Sequence, residues 1–329
     1  MTYTPDESRY SNGMTYSFCG KSGLKLPKIS LGFWHNFGQD DDFEKCKDIV
    51  HCAFDRGITH FDLANIYGPP AGTAEEVFGK IFKESLSGYR DEMVIGTKAG
   101  YAMVNGPYGR VCSRKNLITG LENSLKRLHT DYVDLFYVHW YDKETPLEET
   151  IQALIDIVKS GKALYVGLSK FPPEVAEKAY KILEAQNIHC LIHQGRYNLL
   201  TLETEEESIE TAYRNGVGFA AFSPLAQGIL TDRYLNGIPA DSRVAKHGFL
   251  KKEEITPETI EMVQKLNKIA LERGESLAQM SLSYLLSDER VSTVIVGASS
   301  VKQLVNNLGT LDSPKLSEED KKAIRAIVR

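Results

Sequence analysis

No stretch of this 329-residue chain approaches the roughly 18 consecutive apolar residues that a membrane-spanning helix needs. Its N-terminal stretch, MTYTPDESRYSNG, lacks the basic start and apolar centre of a secretory signal. Cysteine is scarce. The five present (Cys19, Cys46, Cys52, Cys112, Cys190) are odd in number and form no CxxC pair, which argues against a disulfide framework and for reduced thiols in a cytoplasmic protein. Long runs of one charge are missing too: 39 Lys and Arg stand against 44 Asp and Glu, a net charge of −5. That balance predicts neither a nucleic-acid groove nor a membrane surface, and leaves small molecules as the expected partners. No metal is expected, because His35, His51 and His60 are scattered and His189 and His193 bracket one apolar run.

What the chain does have is alternation. Short apolar runs lie at 28–34, 59–64, 93–99, 132–140, 163–169, 189–194, 217–224 and 291–299. Between them come patterns with apolar residues three and four apart, such as DFEKCKDIVHCAFDRG, RKNLITGLENSLKRL and PEVAEKAYKILEAQ, which predict amphipathic helices. Gly57, Gly161 and Gly216 fall where helices are expected to stop. Eight near-continuous apolar strands interleaved with helices predict strands covered on both faces, closed into a (β/α)8 TIM barrel. An open doubly wound sheet is the alternative, but where its nucleotide-binding form needs GxGxxG the chain reads GFWHNFG. We expect residues 1–13 to be a flexible polar leader and 14–329 the barrel, opened by a hairpin near Cys19–Pro27. The stretch from Ser223 to about Thr256 is read as an active-site flap, 257–274 and 276–287 as two successive helices, and LSEEDKKAIRAIV as an extra C-terminal helix.

Chemistry in such barrels sits at the C-terminal ends of the strands. Applied here, that rule gathers Asp62 and Tyr67 from the second run, Lys98 from the third and His139 from the fourth; Ser169, Lys170 and Gln194 end the fifth and sixth. Burying a lone carboxylate is expensive, and Lys98 on the next strand is the natural counter-ion for Asp62. A phenol titrates near pH ~10; a lysine ammonium beside Tyr67 is expected to lower that value and make it a general acid, with His139 orienting a carbonyl oxygen. Singly, each residue has an ordinary structural explanation as a cap, a turn aromatic, a solvated lysine or a packed imidazole. Their convergence on one mouth favours a site that protonates a carbonyl oxygen. The loops after the seventh and eighth runs, FSPLAQGIL (222–230) and VGASSVKQLVNN (296–307), offer small residues and a helix N-terminus suited to an anion. Ser223, Leu225 and Gln227 are placed to cradle a pyrophosphate, with Gly228 and Gly297 in the same two loops. Ser299 and Gln303 suit a ribose phosphate, Asn307 an adenine edge, and Phe222 a stacked flat ring.

From about Met14 to the last helix the sequence resembles the aldo-keto reductase superfamily: FDLANIYG, GTKAG, YVHW, GLS, QGRYN, FSPLAQGIL and VGASSVKQLVNN follow in that family's order. CGKSGLKLP, LGFWHNFG, YGPPAGTAEE, GPYG and SPLAQGILTDRYLNGIP are similar to the branch that holds bacterial L-glyceraldehyde 3-phosphate reductases and potassium-channel β-subunits. The resemblance implies an NADPH-dependent carbonyl reductase, with NADH as the alternative cofactor. In it Tyr67 donates the proton, Asp62 and Lys98 tune it, His139 orients the carbonyl, and Ser169 and Gln194 hold the carboxamide of a nicotinamide stacked near Phe222. Two positions depart from the family pattern: Lys170 stands where Asn is common, and Ser300 where Arg often follows GAS. Trp34, Tyr101, Trp140 and the flap around Tyr234 are expected to wall a pocket for small aldehydes such as methylglyoxal or a glyceraldehyde phosphate, and a homo-oligomer is a possible assembly. Two rival readings stand beside this one: a Schiff-base lyase using Lys98, and a redox-sensing or assembly subunit that holds cofactor and turns over slowly.

Overall fold

The computed structural model describes residues 3–235, 253 and 255–328. Ten strands are seen: β1 (Tyr16–Phe18), β2 (Lys25–Pro27), β3 (Ile29–Gly32), β4 (His60–Asp62), β5 (Val94–Ala99), β6 (Val133–Val138), β7 (Ala163–Ser169), β8 (Cys190–Arg196), β9 (Gly218–Phe222) and β10 (Val291–Val296). The last eight pair in parallel and close on themselves in the order β10-β3-β4-β5-β6-β7-β8-β9. The fold is therefore the (β/α)8 barrel that the alternation predicts. Strands β5, β6 and β10 are buried at every position, which is why their sequences read as apolar runs without alternation.

The helices are α1 (Phe43–Asp55), α2 (Thr73–Ile81), α3 (Arg114–Leu128), α4 (Leu147–Lys159), α5 (Pro173–Glu184), α6 (Ser208–Arg214), α7 (Pro257–Glu272), α8 (Leu277–Leu286), α9 (Val301–Leu308) and α10 (Glu318–Val328). Their ends follow local chemistry. Asp42 caps α1 by accepting from the Lys45 N–H at 2.9 Å, and Ser276 with Gln279 forms a reciprocal capping box on α8. Gly57, Gly161 and Gly216 take φ of 80°, 74° and 72° just past helix ends, the left-handed turn for which glycine is suited.

The β1–β2 hairpin plugs the N-terminal end of the barrel. Cys19 and Leu26, both fully buried, pack with Val94, Leu135, Tyr137, Leu191 and Ile295 in the lumen. The stretch expected to be a loose leader is anchored from Tyr3 onward. The Tyr3 ring stacks on His51 at 3.7 Å, its hydroxyl donates to Asp55 Oδ1 at 2.8 Å, and Arg9 pairs with Glu92. Of the expected flap, Ser223–Leu235 is seen as two short turns, the second of which carries the buried Tyr234. Residues 236–252 and 254 of that stretch lie outside the described residues. Among the described residues no helix is long and apolar enough to cross a membrane.

Candidate active site

In the β4–β5 register Asp62 faces Gly96, so Lys98 stands two residues nearer the C-terminal end of β5, on the same face. From there Lys98 directs its three N–H groups at three oxygens: Asp62 Oδ2 at 2.6 Å, the Leu63 carbonyl at 2.8 Å and the Tyr67 hydroxyl at 3.3 Å. Lys98 is fully buried and Asp62 nearly so. The second oxygen of Asp62 accepts from Gln194 Nε2 at 2.9 Å. Strands β4 and β8 lie opposite each other in the closed order, so this bond crosses the lumen. His139 follows β6 directly, with its ring edge-on to Tyr67 at 5.6 Å and to Tyr101 at 4.8 Å. The four residues expected at the mouth are thus brought together.

The electrostatics correct one expectation. The phenol of Tyr67 is pushed well above its usual value, chiefly by burial and further by the charges of Asp62 and Tyr101, rather than lowered by Lys98. The ammonium is already balanced by Asp62 at 2.6 Å, while burial draws the Lys98 pKa below its usual value. Tyr67 accordingly holds its proton at rest. Burial, and then the charges of Lys98 and Lys170, hold His139 well below its usual value, so its imidazole is neutral near pH ~7. Its Nδ1 is buried without a hydrogen-bond partner among the described residues. A loaded phenol and a neutral imidazole face one point, an arrangement able to donate a proton and a hydrogen bond to the same oxygen.

Around this centre lie further networks that the sequence did not announce. Buried Glu75 accepts from Thr97 Oγ1 at 2.5 Å and from Arg127 Nε at 2.7 Å, tying β5 to α2 and α3. Asn198, two residues past β8, donates to the Ser223 carbonyl at 3.0 Å and fixes the start of the next loop. That loop is strained: Ser223, Ala226 and Gln227 take φ of 52°, 45° and 58°. The turn is held from within: the Ala226 N–H donates to the Ser223 carbonyl at 3.0 Å and the Gly228 N–H to the Leu225 carbonyl at 2.8 Å.

A nicotinamide dinucleotide fits this rim on several counts. Ser169 Oγ, Gln227 Oε1 and Asn307 Nδ2 are buried with no hydrogen-bond partner among the described residues, and all three belong to the residues expected to hold cofactor. A Cβ placed on Gly297 would meet nothing within 4 Å, so the backbone there lies open to a ligand. Ser299 and Gln303 bond each other, Gln303 Oε1 accepting from the Ser299 N–H at 2.8 Å and its hydroxyl at 2.9 Å. Ser300 caps α9 through the Gln303 N–H at 3.2 Å. Gln194 gives one of its two amide N–H groups to Asp62, which leaves the other and its carbonyl oxygen for the carboxamide contact expected of it.

Tyr101 and Trp140 form a wall beside His139, their rings 5.8 Å apart and inclined by 27°, with the Trp140 indole N–H on the Gly100 carbonyl at 2.9 Å. Trp34 sits on the separate loop after β3, packed on His35 at 4.4 Å. Lys170, with φ of 58°, reaches the Tyr101 hydroxyl at 3.4 Å.

Comparison with known proteins agrees with this geometry. The aldo/keto reductase family model matches residues 28–329. The L-glyceraldehyde 3-phosphate reductase of Escherichia coli O157:H7 is 50% identical over 325 residues, 97% of this chain and 94% of the relative. That of Escherichia coli K12 is 49% identical over the same shares. A probable voltage-gated potassium channel subunit beta from Oryza sativa subsp. japonica is 35% identical over 96% of this chain and 97% of its own. A closed barrel with an acid, a phenol, a lysine and an imidazole at one mouth, matched nearly end to end by these sequences, makes this chain an oxidoreductase that belongs to the aldo/keto reductase family.

Proposed function

We propose that the protein reduces small aldehydes or ketones, of the glyceraldehyde 3-phosphate or methylglyoxal kind, to alcohols with NADPH. The observation that carries this reading is the buried Lys98 ammonium, 2.6 Å from Asp62 and 3.3 Å from the Tyr67 hydroxyl. When bound, the nicotinamide supplies a hydride to the carbonyl carbon. Ser169, Gln194 and Phe222 would hold its ring end, the Ser223–Gly228 loop its pyrophosphate, and Ser299, Gln303 and Asn307 its adenosine end. His139 positions the carbonyl by hydrogen-bonding its oxygen. Tyr67 then gives its hydroxyl proton to that oxygen as negative charge builds there. Lys98 holds the phenolate left behind, and Asp62, fixed by Gln194, holds Lys98 in place. The partial negative charge of a reacting tyrosine strengthens its bond to Lys98 only during the proton transfer, which is where stabilisation raises rate.

A Schiff-base role for Lys98 is disfavoured by its three donors being directed at three acceptors, which leaves no lone pair to attack a carbonyl. The 35% identity to a channel subunit supports a second reading, a cofactor-holding sensor with slow turnover. Loss of NADPH absorbance with glyceraldehyde, glyceraldehyde 3-phosphate or methylglyoxal tests the first; fast single-turnover hydride transfer with negligible steady-state rate would favour the second. Tyr67→Phe should lower steady-state reduction by about 10²–10⁴-fold while NADPH still binds, as followed by its fluorescence. Wild-type turnover in that variant would refute the assignment. Parallel titration with NADH tests the cofactor, since Ser300 supplies no cation for a 2′-phosphate.

A further inference from the structure

The cations at the mouth that the proposed reduction does not use lie together on the Tyr101 wall. Lys170 Nζ stands 5.2 Å from the centroid of the Tyr101 ring and 5.4 Å from that of Phe222. The Arg110 guanidinium stands 5.6 Å from Tyr101 and 4.7 Å from Trp140. Both side chains belong to exposed residues, and among the described residues neither has a carboxylate within ion-pair distance, in a chain of net charge −5. An aromatic face steadies a cation without neutralising it, and a guanidinium held over a ring keeps N–H donors at its edge. Lys170 also takes a left-handed backbone, φ 58°, which Asn or Gly adopts with less strain. Strain retained beside a reaction centre points to the side chain that it places. Burial, and then the charges of Lys98 and of Arg196 at the end of β8, lower Lys170 to about 8, so that it is mostly charged near pH ~7.

Resting on the reductase reading, we infer that Lys170 and Arg110 form an anion clamp over Tyr101 that makes small aldehydes carrying a phosphate monoester the preferred substrates of this site. Two cations with no carboxylate partner among the described residues match a doubly charged group better than a singly charged one. The aromatic wall meets the substrate's short carbon chain, His139 and Tyr67 meet its carbonyl, and the clamp meets the phosphate at the rim. Lys170 and Arg110 touch the non-reacting end, so they set specificity and take no part in the proton or hydride transfer.

The test compares kcat/KM for glyceraldehyde 3-phosphate and neutral glyceraldehyde, with NADPH saturating, in the wild type, Lys170→Gln, Lys170→Arg and Arg110→Gln. The ratio of the two values should fall by about tenfold or more in each Gln variant, as expected for loss of one charged hydrogen bond, mainly through KM. Lys170→Arg should keep most of the preference. An unchanged ratio, or equal losses on both aldehydes in all three variants, would overturn the clamp. A wild type that prefers neutral glyceraldehyde would overturn it while leaving the reductase reading intact. A wild type that reduces neither aldehyde would remove both.

Discussion

Gln194 reaches across the barrel lumen to donate its amide N–H to Asp62 Oδ1 at 2.9 Å, joining residues 132 positions apart in the chain. Asp62 therefore spends one oxygen on Lys98 and the other on Gln194. Replacing Gln194 by Leu keeps the volume and removes the donor from a buried carboxylate. A hydrogen bond to a charged group contributes about 1.5–3 kcal/mol, so Gln194→Leu should lower the urea midpoint accordingly. The loss should shrink when Asp62→Asn is already present, because the donor then faces a neutral amide. Equal losses in both backgrounds, measured by chemical denaturation, would show that Gln194 only fills space.

The Asp62–Lys98 pair separates stability from activity. Lys98→Met alone leaves a carboxylate that is 2% exposed without its cation, and breaking a buried pair by one partner costs about 3–5 kcal/mol. Lys98→Met with Asp62→Asn removes both charges and should recover most of that stability. Aldehyde reduction should be lost in the single and the double variant alike, because nothing then holds a Tyr67 phenolate. A double variant that is both stable and active would show that the ammonium serves only the fold.

How much of this could be read from the chain follows from where each partner lies. Asp62 and Lys98 sit on successive strands, so chain order alone made them neighbours. Gln194 and Asp62 are opposite across the lumen, and chain order says nothing of contacts through a barrel. The strands were legible because burial on both faces writes an unbroken apolar run, and the helix ends because Gly57, Gly161 and Gly216 mark them. The direction of the Tyr67 shift was not: sequence shows the nearest cation but not the depth of burial or the Asp62 charge that outweighs it. Nor was the anchoring of Tyr3, which depends on His51 and Asp55 sharing one face of α1. Lys170 was visible only as a departure from a family pattern; its place over Tyr101 and Phe222 comes from its left-handed backbone and from strand geometry.

Ser169 offers a cleaner test of the cofactor rim than any charged residue. Its hydroxyl is fully buried at the end of β7 and has no hydrogen-bond partner among the described residues. Removing an unsatisfied buried polar group costs little or is stabilising, so Ser169→Ala should unfold at or above the wild-type temperature. If the hydroxyl serves a bound carboxamide, NADPH affinity should weaken by about two- to tenfold, the value of one neutral hydrogen bond. Fluorescence titration reads the affinity and calorimetry the stability. Lower stability with unchanged affinity would place the hydroxyl in the fold and not in the site.

Acid should unfold the barrel through two buried histidines that the proposed reduction does not use. His60, on β4, bonds Ser30 Oγ through Nδ1 at 2.8 Å, and His193, on β8, bonds the Tyr180 hydroxyl at 2.8 Å. Burial lowers both from 6.5 to about 4. Because each folded-state value lies below the unfolded one, the unfolded chain binds more protons between pH 6.5 and about 4, and stability must rise with pH across that window. The contribution is fully present above pH 6.5 and is lost progressively as pH falls toward about 4. Between pH 7 and pH 5 the loss amounts to about 2 kcal/mol per histidine. Replacing His193 by Gln, or His60 by Asn, removes a titrating group while keeping a polar partner for the neighbouring hydroxyl. Each variant should therefore lose less stability than the wild type between pH 7 and pH 5 when urea midpoints are compared, whatever its stability at neutral pH. Parallel pH profiles in wild type and both variants would show that these imidazoles are not what acid attacks.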